Sequence, residues 1–251
     1  MFQEDANRWA ETAKDKVTLL HSHPGRYLIA SMLAGLFVGI AICLVFTIQA
    51  LMPAPSTKII MGFCFTIALT LVIVAGAELF TGNNMVMTLG LARKTVTLPD
   101  ALTLWTVCWI GNLLGSILCA ALFVGAGFAT GSAADVFTQG ALAKTEIAFF
   151  PLVLRGILCN MLVCLAVWGS RRIADGAGKI LFITLCIATF VITGFEHSIA
   201  NMTLFSIGLM AKSAVPLAFS GVVHNLIAVT LGNMIGGICF VGIPYALIAR
   251  E

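Results

Sequence analysis

Glu196 and His197 lie side by side in the stretch TGFEHSIANM, Thr193 to Met202, and no other acidic or basic residue falls between Lys179 and Lys212. An imidazole offers an N–H donor to an anion, or a proton to pass to it, at a pH where no other unperturbed side chain titrates. An ionisable pair inside a membrane-length apolar run is expensive, because lipid cannot solvate it, and turning it inward onto a partner or a water-filled path relieves that cost. The plainer alternative is a buried histidine that only hydrogen-bonds its neighbours. A second stretch of the same kind, AELFTGNNM, holds Glu78, the only charge between Lys58 and Arg93. Gly76 and Gly82 bracket this acid, and Thr81, Asn83 and Asn84 follow it. Glycine and asparagine tolerate left-handed backbone, and Asn and Thr can bond freed backbone groups, so Glu78 to Asn84 is expected to unwind within the membrane. Two interrupted helices in matching halves of a membrane protein point to a permeation site at mid-membrane.

Other chemistries find little support. His197 and His224 lack HxxxH or HExxH partners, and no nucleophile–base pair suggests itself, which argues against an enzyme and against a metal or cofactor site. The eight cysteines fall inside apolar spans, none in a CxxC pair, and read as small buried hydrophobes. A net charge of +3 suggests no nucleic acid.

Positioning these residues falls to long helices. With 60% hydrophobic and 10% charged residues, the chain reads as an all-α integral membrane protein. Six spans are expected, roughly 28–52, 59–92, 101–128, 147–168, 180–211 and 215–248. The second and fifth exceed a simple crossing, and each has an acid near its middle. Residues 1–27 are polar, without the apolar core of a cleavable signal. Trp9, Ala13, Val17 and Leu20 repeat at helical spacing, with Lys14 and Lys16 between them. This predicts an amphipathic helix lying at the membrane surface, its basic face toward the headgroups, with a cap over the pore mouth as the alternative. If the N-terminus is cytoplasmic, that side holds Arg8, Lys14, Lys16, Arg26, Arg93, Lys94, Arg171, Arg172, Lys179 and Arg250. The other side holds Lys58, Lys144 and Lys212, with Arg155 inside a span. The positive-inside rule then puts both termini in the cytoplasm.

The halves are related. Gly111-Asn112-Leu113-Leu114-Gly115-Ser116-Ile117 and Gly232-Asn233-Met234-Ile235-Gly236-Gly237-Ile238 share G-N-x-x-G-x-I at an offset of 121 residues, and Glu78 and Glu196 are offset by 118. Residues 28–128 and 147–251 therefore read as copies of three spans, an odd number, which inverts the second copy in the membrane. The linker 129–146 is placed on the external side. Lys144 near its end is read either as an interfacial anchor or as a cation at the external mouth that concentrates anions. Arg155 either meets a neighbouring subunit or faces an aqueous vestibule. Gly35 and Gly39 form a small-xxx-small pair that lets helices approach closely.

At TGFEHSIANM, AELFTGNNM, ILCNMLVCLAVW and ALAKT together, the chain resembles the formate/nitrite transporter family of bacterial inner membranes. FTIALTLVIVAGAELFTG looks more like the nitrite branch than the formate branch, while AELFTGNN is also similar to the hydrosulfide branch. The resemblance implies an aquaporin-like subunit of six helices with the second and fifth interrupted, one pore per subunit, in a homopentamer embedded in lipid. By position, His197 matches the central pore histidine, Glu196 the acid beside it and Asn201 its hydrogen-bond partner. Thr81 matches a pore-lining threonine, Asn160 a polar pore residue and Lys144 the lysine near the external vestibule. Phe65, Leu69 and Leu79 match the cytoplasmic-side constriction, and Phe80 and Phe190 the external-side one. Glu78 stands where formate-type members carry Asp, and the NPA pair of aquaporins is absent. A small monovalent anion, nitrite or formate, is the expected substrate, gathered by Lys144 and hydrogen-bonded or protonated by His197 while Asn201, Thr81 and Asn160 orient the site. Hydrosulfide, or a small neutral solute, is the alternative.

Overall fold

The computed structural model describes residues 2–249, and among these the chain is all-helical. The helices in order are α1 (Phe2–Ser22), α2 (Pro24–Leu51), α3 (Thr57–Gly76), α4 (Phe80–Ala92), α5 (Leu98–Gly125) and α6 (Gly131–Thr145). They continue as α7 (Phe149–Arg172), α8 (Gly176–Thr193), α9 (Ser198–Met210) and α10 (Phe219–Ile248). Six of them, α2, α3, α5, α7, α8 and α10, are long and apolar enough to cross a membrane. The short pair α4 and α9 completes the two interrupted spans, so the fold is six transmembrane segments arranged as inverted three-helix repeats.

Both interruptions are tighter than expected. Each lasts only a few residues: Ala77–Leu79 after α3, and 194–197 after α8. Thr81, Gly82, Asn83 and Asn84, expected to be unwound, form the first turns of α4. What breaks each helix is a glycine in the left-handed region, Gly76 at φ 82° and Gly194 at φ 84°, a backbone that a Cβ would strain. The last turn of α3, Val72–Gly76, is wound as a π-helix, which widens the ladder just before the chain leaves it. Another π turn, Ile238–Gly242, precedes Pro244 in α10, where the missing proline N–H already interrupts the α pattern.

Close helix approach fixes the scaffold. A Cβ on Gly115 would collide with the Met32 carbonyl of α2, and one on Gly236 with the Ile157 carbonyl of α7. Thus α5 lies against α2, and α10 against α7, through the glycines of the shared G-N-x-x-G motif. With no hydrophobic driving force between helices in lipid, such small-residue contacts and interhelical hydrogen bonds hold the bundle.

Two segments gain definition that the sequence reading left open. The linker 129–146 is mostly helix: α6 packs against α9 and brings Lys144 inward from its last turn. The N-terminal helix α1 buries Ala6, Trp9, Ala10, Ala13 and Leu20 and packs chiefly on α4. Its Lys16 bonds Glu78 instead of facing headgroups, so α1 is placed as a cap over one end of the bundle. Arg171 from α7 lies 3.9 Å from the centre of the Trp9 ring and donates to Thr12 Oγ1, which ties the cap down.

Candidate functional site

The N-termini of the half-helices α4 and α9 come together at the Thr81–His197 contact, and each end is held in the same way. Asn112 Oδ1 accepts from Phe80 N at 2.9 Å, while its amide donates to the carbonyls of Ser31 and Glu78. Asn233 Oδ1 accepts from Ser198 N at 2.9 Å, and its amide donates to Gly156 and Glu196. Both asparagines are fully buried. Each satisfies one orphan N–H of a helix start and one carbonyl of the broken backbone, and ties them to a carbonyl of a continuous helix, α2 or α7.

The acids follow the same symmetry. Glu196 takes both oxygens to Lys144 Nζ, at 2.7 and 2.8 Å, and accepts from Asn201 Nδ2 at 2.7 Å. Glu78 takes both oxygens to Lys16 Nζ and accepts from Asn83 Nδ2 at 3.0 Å, with Tyr27 OH adding a longer bond. Each carboxylate therefore has a cation and an amide to compensate its burial. The sequence reading missed Lys16 and the buried role of Asn83. Asn83 and Asn201 are 118 residues apart, the offset of the acids, and that signal could have found the pair.

His197 lies between these assemblies, 5% exposed. It is the N-cap of α9: its Nδ1 accepts from Ala200 N at 3.1 Å. A backbone amide can only donate, so Nδ1 carries no proton and the ring proton sits on Nε2. Nε2 is 3.1 Å from Thr81 Oγ1 on α4, joining the two half-helices. The Phe190 ring stacks nearly parallel to the imidazole, with centroids 6.0 Å apart.

Three cavities line up along this axis. One of about 530 Å³ opens on the side of the termini and reaches Lys16, Glu78, Leu69 and Leu79 beneath α1. One of about 450 Å³ opens on the other side, lined by Lys144, Glu196, Asn201, Phe65, Phe190 and His197 among others. Between them lies a chamber of only about 10 Å³, which shares Leu69 and Leu79 with the first cavity and Phe65, Phe190 and His197 with the second. It has room for about one water at most. Two apolar rings thus separate wide vestibules, and His197 edges the gap.

This placement corrects three residues. Phe65, expected beside Leu69 and Leu79, packs edge-on against Phe190 at 5.9 Å and belongs to the opposite ring. Phe80, expected in a constriction, is buried and lines none of these cavities, its backbone N held by Asn112. Asn160, expected to face the pore, is also off the lining: its amide donates to the carbonyls of Thr81 and Asn233 and so braces the half-helices from behind. Thr81 likewise reaches the site only through the His197 bond. Asn201 lines the second vestibule while holding Glu196 and Asn225.

A family model described as "Formate/nitrite transporter" matches residues 3–247. The chain is 39% identical over 246 residues to the nitrite transporter NirC of Salmonella typhimurium, covering 98% of this chain and 91% of that protein. It is similar to a solved structure described as an FNT family ion channel, with a TM-score of 0.94, 38% identity and 99% of each chain covered. A second, described as a pentameric formate channel with formate bound, matches with a TM-score of 0.79 at 29% identity, covering 90% of this chain and 97% of that one.

Proposed function

The chain belongs to the formate/nitrite transporter family and is a multi-pass membrane transporter, not an enzyme, and from that premise we propose that it conducts nitrite or formate through a pore in each subunit of a homopentamer. The observation that carries this reading is the imidazole at the boundary of the small chamber, with Nδ1 committed to the backbone and a proton on Nε2. A bare anion between apolar rings loses hydration worth several kcal/mol even after relaxation. The Nε2–H and the Thr81 hydroxyl replace part of that hydration, and the converging half-helix N-termini add positive potential. Both vestibules favour an anion over a neutral solute: each is lined by three cationic side chains and one carboxylate. Since the chamber is too small for nitrite or formate, passage requires the Leu69–Leu79 and Phe65–Phe190 rings to part.

Orientation belongs to the same reading. Nine described basic residues, Arg8 through Lys179, lie on the side of the termini, and Arg250 lies outside the described residues. The charge imbalance supports cytoplasmic termini in a bacterial inner membrane.

The test is flux of nitrite, formate and hydrosulfide, singly and in competition, into proteoliposomes at two pH values. His197→Phe keeps the ring's bulk and removes both nitrogens. It is expected to lower nitrite and formate flux by about 10² or more, as when an essential buried donor is removed. Unchanged flux with an unchanged pH profile would overturn the role of His197, and equal permeation by uncharged solutes would overturn the anion reading.

A further inference from the structure

In the vestibule away from the termini, the cation nearest the site is already committed. Lys144 holds both oxygens of Glu196, so the pair presents little net charge to an arriving solute. Two more cations line the same cavity, Lys58 from the first turn of α3 and Arg155 from the second turn of α7. Both are exposed, and among the described residues neither side chain has a hydrogen-bond or ion-pair partner. The other acids on this side do not neutralise them from the lining: Glu146 is exposed and off it, and Asp135 accepts from Ser213.

The inverted repeat matches Lys58, on the first turn of α3, with Lys179, on the first turn of α8 and lining the other vestibule, but leaves Arg155 without a cationic counterpart. Glu196 N donates to Arg155 O as Glu78 N donates to Ala30 O, so the counterpart of Arg155 at the other mouth is an alanine. The Lys58 ammonium lies 3.0 Å from where a Cβ on Gly194 would stand, over the turn leading into Glu196 and His197. Around Gly76, the counterpart of Gly194, nothing comes within 4 Å of that position. The backbone roles are symmetric, whereas Arg155 is matched by an alanine and Lys58, unlike Lys179, lies against the glycine turn of its vestibule.

We propose that Lys58 and Arg155 are the anion-capture pair of this mouth, holding a small two-oxygen anion before it passes Phe65 and Phe190, while Lys144 serves to hold Glu196. This rests on the anion reading above. The guanidinium is a planar fork that matches two oxygens on one centre, as in formate and nitrite, whereas hydrosulfide presents a single acceptor atom. Lys58 supplies the point charge that draws the anion over the Gly194 turn. Both act on access and not on the crossing of the rings.

The experiment is initial-rate flux in proteoliposomes for wild type, K58Q/R155Q, K58R and R155K, at ionic strengths of about 0.01 M and about 1 M, where the screening length falls from about 30 Å to about 3 Å. At low ionic strength the double glutamine variant is expected to show an apparent KM for formate and nitrite raised about tenfold, at the low end of electrostatic steering, with Vmax unchanged. At high ionic strength the difference should shrink to about twofold or less. K58R should retain the wild-type salt dependence. R155K should raise the KM for nitrite and formate while leaving that for hydrosulfide unchanged, because the charge stays and the fork is lost. Wild-type KM in the double variant at low ionic strength would overturn the proposal, as would equal effects of R155K on all three anions. Should the double variant fail to assemble, the two conservative variants decide the matter alone. Absence of any anion flux in the wild type would instead overturn the anion reading, and this inference with it.

Discussion

At the scale of single residues, the polar atoms of His197 and Glu196 are each committed to a partner. His197 has one nitrogen on the α9 backbone and the other on Thr81, so charging the ring would cost the cap bond to Ala200. Glu196 is 3% exposed and tolerable there because Lys144 and Asn201 surround its carboxylate. Removing only the cation leaves a buried, uncompensated negative charge beside the anion path. Lys144→Gln is therefore expected to lower stability by about 3–5 kcal/mol and to suppress anion flux as well. Replacing both partners, K144Q/E196Q, removes the charge and its counter-charge together, so most of the stability should return. Thermal unfolding of the detergent-solubilised protein measures both. If K144Q melts with the wild type, the pair contributes nothing to the fold. The readings of Lys144 weighed from sequence were an interfacial anchor and a cation gathering anions at the external mouth, and neither named Glu196 as its partner. Its buried partner lies 52 residues away, and only the fold of α6 brings them together.

At the scale of elements, each half-helix depends on a single asparagine from the third helix of its own repeat. Asn112 and Asn233 make three backbone hydrogen bonds apiece, two at the break and one to the neighbouring α2 or α7. Asn112→Leu and Asn233→Leu each strand those groups in a dry interior, at about 1–3 kcal/mol per group. Both are expected to lower the melting temperature by similar amounts, and a variant that melts unchanged would show the symmetry to be geometric without being energetic. The repeat was legible because Gly111, Asn112 and Gly115 recur as Gly232, Asn233 and Gly236, where a helix contact permits no larger side chain. The interruptions were legible from Glu78 and Glu196, although their lengths were not, since Thr81 to Asn84 are helical once Asn112 caps the start. The symmetry also takes in the helix before each repeat: α1 brings Lys16 to Glu78 as α6 brings Lys144 to Glu196. That correspondence left no motif in the sequence, because one lysine on an otherwise divergent amphipathic helix suffices for it. Which aromatic joins which ring was equally hidden, as it depends on the rotation of α3 against α8.

At the scale of the whole molecule, both vestibules and the chamber between them are lined by residues of one chain. Vestibule, ring, imidazole, ring and vestibule can be traced in sequence along one chain. In the proposed homopentamer each path should then work or fail by itself. Mixing tests this directly. Wild-type chains and chains carrying His197→Phe, each with its own affinity tag, can be co-expressed and separated into pentamers of defined composition. Independent paths predict that nitrite flux per pentamer rises linearly with the number of wild-type subunits, so one wild-type chain retains about a fifth of full flux, the arithmetic of five separate sites in a closed ring. A path shared at the subunit interfaces, or an obligatory concerted opening, predicts a steep power of the wild-type fraction and almost no flux until most subunits are wild type. The linear outcome is expected because the rings that must part, Leu69 with Leu79 and Phe65 with Phe190, meet within one subunit beside its own His197.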